Sequence, residues 1–365
     1  MTADRRNRNT VLFLAPHELK GLIRMEEGIE AVDQGYREAA AFPVVNAPRR
    51  RVHSPDGVRV SNFPGGIPGM GVIGSMTRAE TVEASDGLNQ DYGYREHPVY
   101  LLWDSKTGKL QSMMMGEIFD DRIGFSSLMA FRTAATTGMG VKHLARKDAK
   151  VLGLFGTGGQ AENMALAVKC VRDITRVNVY SRNPENRRKF CRKMEKIIGV
   201  EMVPVDGPSA AIKGADMVVT ATNSSVPVFD GSLLEPGQHV ATIVGSNAQL
   251  VEGGFIKKAR RENDDETVRR ADVIVTNWVD SVLSERQAGL WDPMQAGIIT
   301  REQIIGLGDV AAGKHPGRTS PEQITYHFNN NGTAAADLAI AKVVYDRAVK
   351  DGRGSELVVA PPGEQ

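Results

Sequence analysis

The sequence predicts an α/β protein. A doubly wound parallel sheet fills the second half of the chain, and a discontinuous α/β domain is built from the two chain ends. Three observations carry this reading. From residue 150 onward, short apolar runs alternate with helix-forming runs, the pattern of βαβ units and a parallel sheet. Residues 51–115 hold closely spaced strand candidates with little helix between them, which reads as an antiparallel β region. Gly332 to Lys350 is an amphipathic helix beyond the alternating units, and it is expected to return to the first domain. The expected domains are 1–131 plus 326–365, and 132–325.

The elements follow in order. Val11 to Ala15 reads as a strand, and His17 to Ala41 as a helix. Arg51 to Val60 alternates around Pro55-Asp56-Gly57, a hairpin signal. Phe63 to Gly69 carries two prolines and three glycines and reads as a loop. Gly71–Met76, Pro98–Trp103 and Lys109–Met115 are strand candidates, and Arg132–Arg146 is a small-residue helix. Strands are then expected at Val151–Phe155, Val177–Tyr180, Met202–Val205, Met217–Ala221, His239–Val244 and Val273–Asn277. Helices are expected at 162–170, 184–198, 208–212 and 253–261.

The strand at 151–155 ends in Gly156-Thr157-Gly158-Gly159-Gln160-Ala161, and a helix-forming run follows at once. This is the G-x-G-x-x-A spacing in its proper context. Gly156 permits the tight turn, Gly158 lets the backbone approach a pyrophosphate, and Ala161 lets the helix pack on the sheet. The helix N-terminus offers unpaired N–H groups to the phosphates. The domain is therefore read as a Rossmann-type dinucleotide site. At the end of the next strand an NAD site usually carries an acid for the ribose 2′-OH; here Ser181-Arg182-Asn183 stands instead, with Arg187 one helical turn on. An acid would repel a 2′-phosphate, whereas Ser181 can donate to it and Arg182 can pair with it. The expected cofactor is NADP(H) rather than NAD(H). Ala221, Thr222 and Asn223, and Val244, Gly245 and Ser246, follow two later strands and are expected to line the ribose and nicotinamide pocket, since ligands sit at the carboxyl ends of such strands.

Forty-five Lys and Arg balance 44 Asp and Glu, so no nucleic-acid surface is indicated. No apolar run approaches a membrane span. Cys170 and Cys191 are the two cysteines, and no His/Cys/Asp cluster has metal-ligand spacing. A cytoplasmic enzyme without metal is expected.

Several segments together resemble the ornithine cyclodeaminase/mu-crystallin family. They are LLWDSKTGKLQSMM (residues 101–114), RTAATTGMGVKHLAR (132–146), GTGGQA, the GSN at 245–247, and LGDVAAGKHPGRTSPEQIT (307–325). The resemblance spans roughly residues 10–350. It implies a dimerising α/β substrate domain beside a Rossmann domain, and hence a homodimer. It implies that Arg132 holds a substrate carboxylate, a role suited to a planar guanidinium fork. A second basic group is expected within Arg49-Arg50-Arg51, with Arg50 favoured. Asn331, before the last helix, is expected near the nicotinamide carboxamide.

Two departures bear on chemistry. The family lysine is missing from GVIGSMTRAE (71–80), where Arg78 is the nearest cation. Asn247 stands where cyclodeaminases carry an aspartate, and an amide cannot accept a proton at neutral pH. The expected activity is NADP(H)-dependent oxidoreduction at the C–N bond of a small imino or amino acid, of the imine or ketimine reductase or amino acid dehydrogenase type. Arg132 holds the carboxylate, Asn247 orients the nitrogen, and Glu80, Asp120 or Asp121 is a candidate acid. A cyclodeaminase-type ammonia lyase and a non-catalytic small-molecule binder are the alternatives.

Overall fold

The computed structural model describes residues 10–42, 46–83, 91–245, 248–254, 257–329 and 332–359. Two eight-stranded sheets organise them. The first holds β1 (Thr10–Leu14), β2 (Arg50–His53), β3 (Val58–Ile67), β4 (Val72–Glu83), β5 (Asp91–Arg95), β6 (Val99–Asp104), β7 (Leu110–Met115) and, from the far end of the chain, β16 (Ser355–Val358). Its order is β16-β1-β7-β6-β4-β3-β2, with β5 also paired to β4. The second holds β8 (Val151–Phe155), β9 (Arg176–Tyr180), β10 (Glu201–Pro204), β11 (Met217–Thr220), β12 (His239–Thr242), β13 (Val273–Thr276), β14 (Ile304–Gly306) and β15 (Thr325–Phe328). It is parallel throughout, in the order β10-β9-β8-β11-β12-β15-β13-β14.

Three long helices join the sheets: α1 (Met25–Ala41), α2 (Leu128–Leu144) and α3 (Gly159–Val171). The remainder are α4 (Pro184–Ile198), α5 (Pro208–Ile212), α6 (Ala248–Glu252), α7 (Asp265–Arg269), α8 (Val279–Ser284), α9 (Ala288–Gln295), α10 (Leu307–Ala311) and α11 (Ala334–Lys350). Helix α11 packs on α1 and against β3 and β4, so the chain's last long helix is part of the first lobe's core. Leu338, Ala339, Ile340 and Ala341 are fully buried there.

The departures from the sequence reading have local causes. Helix α1 starts at Met25 rather than His17, because Asp120 accepts the Met25 N–H at 2.8 Å and Gly21 turns the chain at φ 73°. Helix α2 starts four residues earlier than expected, with the Ser127 hydroxyl capping the Ala130 N–H. Phe63–Ile67 is strand rather than loop: Pro64, Gly65 and Gly66 pair with Ser75, Gly74 and Ile73 on β4. The expected helix 253–261 does not form among its described residues; α6 ends at Glu252, and Arg261 instead bridges Gly245. Strands β5, β14, β15 and β16, each of three to five residues, are additions to the expected set. Strand β15 lies within the second sheet, just past the boundary expected at 325.

Candidate active site

The parallel sheet reverses direction of growth at β8, which is flanked by β9 and β11, and ligands bind at the carboxyl ends of strands at such a point. Gly156 leaves β8 at φ 112°, and a side chain there would collide with the Ala221 carbonyl. Gly158 caps α3 in an extended conformation with no side-chain hydrogen bond, so the first N–H groups of the helix stay open. A methyl group added at Gly158 or Gly159 would meet nothing within 4 Å. Backbone donors, open approach and a helix dipole fit a pyrophosphate. Ala161 is fully buried under the sheet, while Thr157 and Gln160 are half-exposed at the mouth.

At the end of β9, Ser181 is half-buried and donates to the Asn183 carbonyl at 3.2 Å. Arg182 is exposed. Asn183 caps α4, accepting from the N–H groups of Glu185 and Asn186. Arg187 is placed differently from the expectation. It is buried, donates to the Val205 carbonyl, lies 3.3 Å from Asp206 and stacks 5.6 Å from the Tyr180 ring centre. Its fork ties α4 to the segment after β10 rather than waiting for a phosphate.

A cavity of about 640 Å³ lies between the two sheets, lined on one side by Gly159, Gln160, Thr222, Asn223, Ile243, Val244 and Gly245. Its other side is arginine-rich. Arg132 lines it from the second turn of α2. The side chain is buried, with Nε 3.1 Å from Asp337 on α11, and a side chain at Gly332 would strike its guanidinium. Burial pushes the Asp337 carboxyl up to about 6, while the Arg132 charge opposes the rise. Arg78 also lines the cavity. Its Nη2 is 2.9 Å from Glu117, whose other oxygen accepts the Leu128 N–H at the start of α2. Nε and Nη1 of Arg78 are buried with no hydrogen-bond partner among the described residues. Glu117 therefore fixes both Arg78 and the helix that carries Arg132.

The register decides which of the three consecutive arginines turns inward. Arg51, Ser61 and Arg78 lie side by side across β2, β3 and β4, and all three line the cavity. Arg50 aligns with Asn62 and Thr77 on the opposite face and is exposed. The favoured residue is thus corrected from Arg50 to Arg51, joined by Arg49, which lines the cavity rim and pairs at 2.6 Å with Glu285 beyond α8.

Of the candidate acids, Glu80 lines the cavity, already engaged by Arg59 and, at 3.5 Å, by Arg95. Asp120 and Asp121 do not line it. Asp120 is spent on the N-terminus of α1 and on Arg122; burial opposes its ionisation, yet those bonds hold its carboxyl below the ordinary range. Asp121 packs beside Gly21. Ser246, Asn247 and Asn331 lie outside the described residues.

Sequence reasoning missed Glu262. It is buried between β12 and α7 and accepts hydrogen bonds from Thr220, Thr222, Thr242, Ile243 and Val244. Thr222 therefore stands at the cavity as expected, but both its N–H and its hydroxyl are taken by Glu262. Glu262 is one acid among several in the polar run 260–266, and nothing local sets it apart from Asp264, Asp265 or Glu266. No group of acidic, histidine or cysteine side chains among the described residues could hold a metal ion, and no described helix is long and apolar enough to cross a membrane.

A glycine-turn dinucleotide crevice facing an arginine-lined cavity defines the class: a two-lobed protein with a Rossmann-type nicotinamide-dinucleotide domain. Within that class, the chain belongs to the ornithine cyclodeaminase/mu-crystallin family, whose model matches residues 10–352. It is 27% identical over 350 residues to a Delta(1)-pyrroline-2-carboxylate reductase of Bacillus cereus, covering 95% of this chain and 99% of that one. The structure of Thermococcus litoralis Delta(1)-pyrroline-2-carboxylate reductase in complex with NADH and L-proline superposes with a TM-score of 0.78, at 28% identity, covering 95% of this chain and all of that one. An archaeal alanine dehydrogenase dimer with bound NAD matches with a TM-score of 0.76 at 25% identity, over 95% and 99% of the two chains.

Proposed function

We propose that this protein is an NADP(H)-dependent reductase of a small imino acid, acting at the C=N bond beside a carboxylate. The observation that carries the reading is the shared cavity. Two buried guanidinium groups, Arg132 and Arg78, face the strand ends where a dinucleotide's nicotinamide would lie. When bound, the cofactor supplies the hydride. Arg132, anchored by Asp337, offers a planar fork that fixes the carboxylate and so the adjacent carbon. Arg78, with two guanidinium nitrogens unpartnered among the described residues, serves the same anion from the position where the family lysine is missing. No described carboxyl in the cavity is free of a guanidinium or ammonium partner, so the reading uses a substrate that arrives protonated on nitrogen.

NADP(H) is preferred in this reading because Ser181 and Arg182 replace the usual acid, whereas the pyrroline-2-carboxylate reductase and alanine dehydrogenase structures above carry NADH and NAD. A homodimer completes it. C2 pairing is the commonest closed assembly, and Val52, Val58 and Ile73 are exposed apolar groups on the sheet face turned away from the cavity. The division of labour is a substrate and dimer unit from the chain ends and a cofactor unit between them.

The test is NADPH oxidation followed at 340 nm with a panel of cyclic and linear imino acids. Turnover with at least one of them, and no conversion of ornithine to proline, is expected. Ammonia release from ornithine without net cofactor consumption would overturn the reading in favour of a cyclodeaminase, and NADPH binding without any turnover would leave a binder.

A further inference from the structure

The proposed hydride transfer leaves Glu262 without a role, although it is among the most densely bonded side chains near the cavity. It sits at the ends of two neighbouring strands. Thr220 and Thr242, the last residues of β11 and β12, lie side by side in register, and both hydroxyls donate to Oε2, at 3.1 and 3.2 Å. The N–H groups of Ile243 and Val244 donate to the same oxygen at 3.3 and 3.1 Å. The N–H and the hydroxyl of Thr222 both donate to Oε1 at 2.6 Å. Glu262 is itself fixed, its carbonyl accepting from Val228 and its neighbour Arg261 bridging Gly245.

All six contacts come from donors, so the site calls for a group that accepts on both oxygens. Ionised carboxylate does that; a carboxamide does not. A glutamine of the same shape would turn its NH₂ toward the Thr222 N–H in one orientation and toward those of Ile243 and Val244 in the other. The residues held this way, Thr222, Ile243 and Val244, line the cavity beside Asn223 and Gly245.

We propose that Glu262 is a positioning residue for the nicotinamide half of the cofactor site, setting the loops after β11 and β12 against the arginine-lined cavity. The inference rests on the dinucleotide reading above and extends it to a residue that touches neither cofactor nor substrate. The two nucleotide halves of a doubly wound fold use separate strand sets. The adenine half, on β8, α3 and β9, contains none of Glu262's partners.

That separation supplies the test. Glu262→Gln is titrated with NADPH and with adenosine 2′,5′-bisphosphate, which carries the adenine half alone. NADPH is expected to bind about tenfold more weakly, with bisphosphate affinity unchanged, and the fluorescence of bound NADPH should shift toward that of the free form. Equal weakening of both ligands would reduce Glu262 to a general structural role, and unchanged NADPH affinity and emission would overturn the proposal outright. If the glutamine variant does not fold, Glu262→Asp replaces it. That variant keeps the charge but cannot span all six donors, so the same selective loss is expected in smaller measure. Should the protein prefer the unphosphorylated cofactor, NADH and AMP serve in the same two arms. No arm needs the substrate, so a failure to reduce any imine would count against the proposed function and leave this test standing.

Discussion

Replacing Arg132 with alanine should affect catalysis and stability in separable ways. The lost fork makes two charge-assisted hydrogen bonds to the proposed carboxylate. At about 1.5–3 kcal/mol each, their loss lowers kcat/KM by about 10²–10⁴-fold, at 1.36 kcal/mol per decade. NADPH affinity should hold, since the pyrophosphate site at Gly156–Ala161 is built on other elements. The stability effect runs through Asp337. Its carboxyl is raised from 3.8 to about 6 by burial, against the opposing pull of Arg132. The folded state therefore holds a proton that the unfolded state releases, and stability falls as pH rises from about 4 to about 6, by about 3 kcal/mol at 1.36 kcal/mol per pK unit. Above that window the wild-type curve levels off. Without Arg132 the carboxyl rises further, so the variant should keep losing stability above pH 6. Urea denaturation at pH 5.5, 7 and 8.5, alongside steady-state kinetics, checks both limbs. A variant with kcat/KM within threefold of wild type would refute the carboxylate role. A stability gap between variant and wild type that does not change with pH would refute the coupling to Asp337.

Three further outcomes are expected. Arg182→Ala should weaken NADPH tenfold or more, the lower end of a lost charge-assisted contact, and leave NADH little changed; equal loss of both would remove the 2′-phosphate assignment. Arg187→Ala should lower stability by about 1–3 kcal/mol, because the half-buried Val205 carbonyl loses its donor and the Tyr180 ring its cation. The NADPH-to-NADH preference should not move, and a selective NADPH defect would return Arg187 to the phosphate site. Light scattering at micromolar concentration should give twice the mass of the 365-residue chain, and a monomeric mass would contradict the dimer.

What the sequence determined by itself was local. The turn Gly156–Ala161 is written in six consecutive residues, and the positive φ at Gly156 arises within that stretch, although the Ala221 carbonyl that leaves no room for a side chain there comes from another strand end. Alternation of apolar runs and helices likewise announced the parallel sheet, because each βαβ unit carries its own hydrophobic periodicity. Arg132 was singled out by its surrounding motif, and the fold places it at the cavity. The tertiary structure decided whatever depended on register or on groups distant in the chain. Arg50 and Arg51 differ by one residue, and since strand side chains alternate in face, only the pairing of β2 with β3 decides between them. The strand through Pro64, Gly65 and Gly66 exists because β4 pairs along it, against local preference. Asp120 looked like an acid for catalysis until the start of α1, some 95 residues away, claimed it. Glu262 and Asp337 gain their surroundings from burial against segments far from them in sequence, and burial is what turns an ordinary acid into one that organises a site.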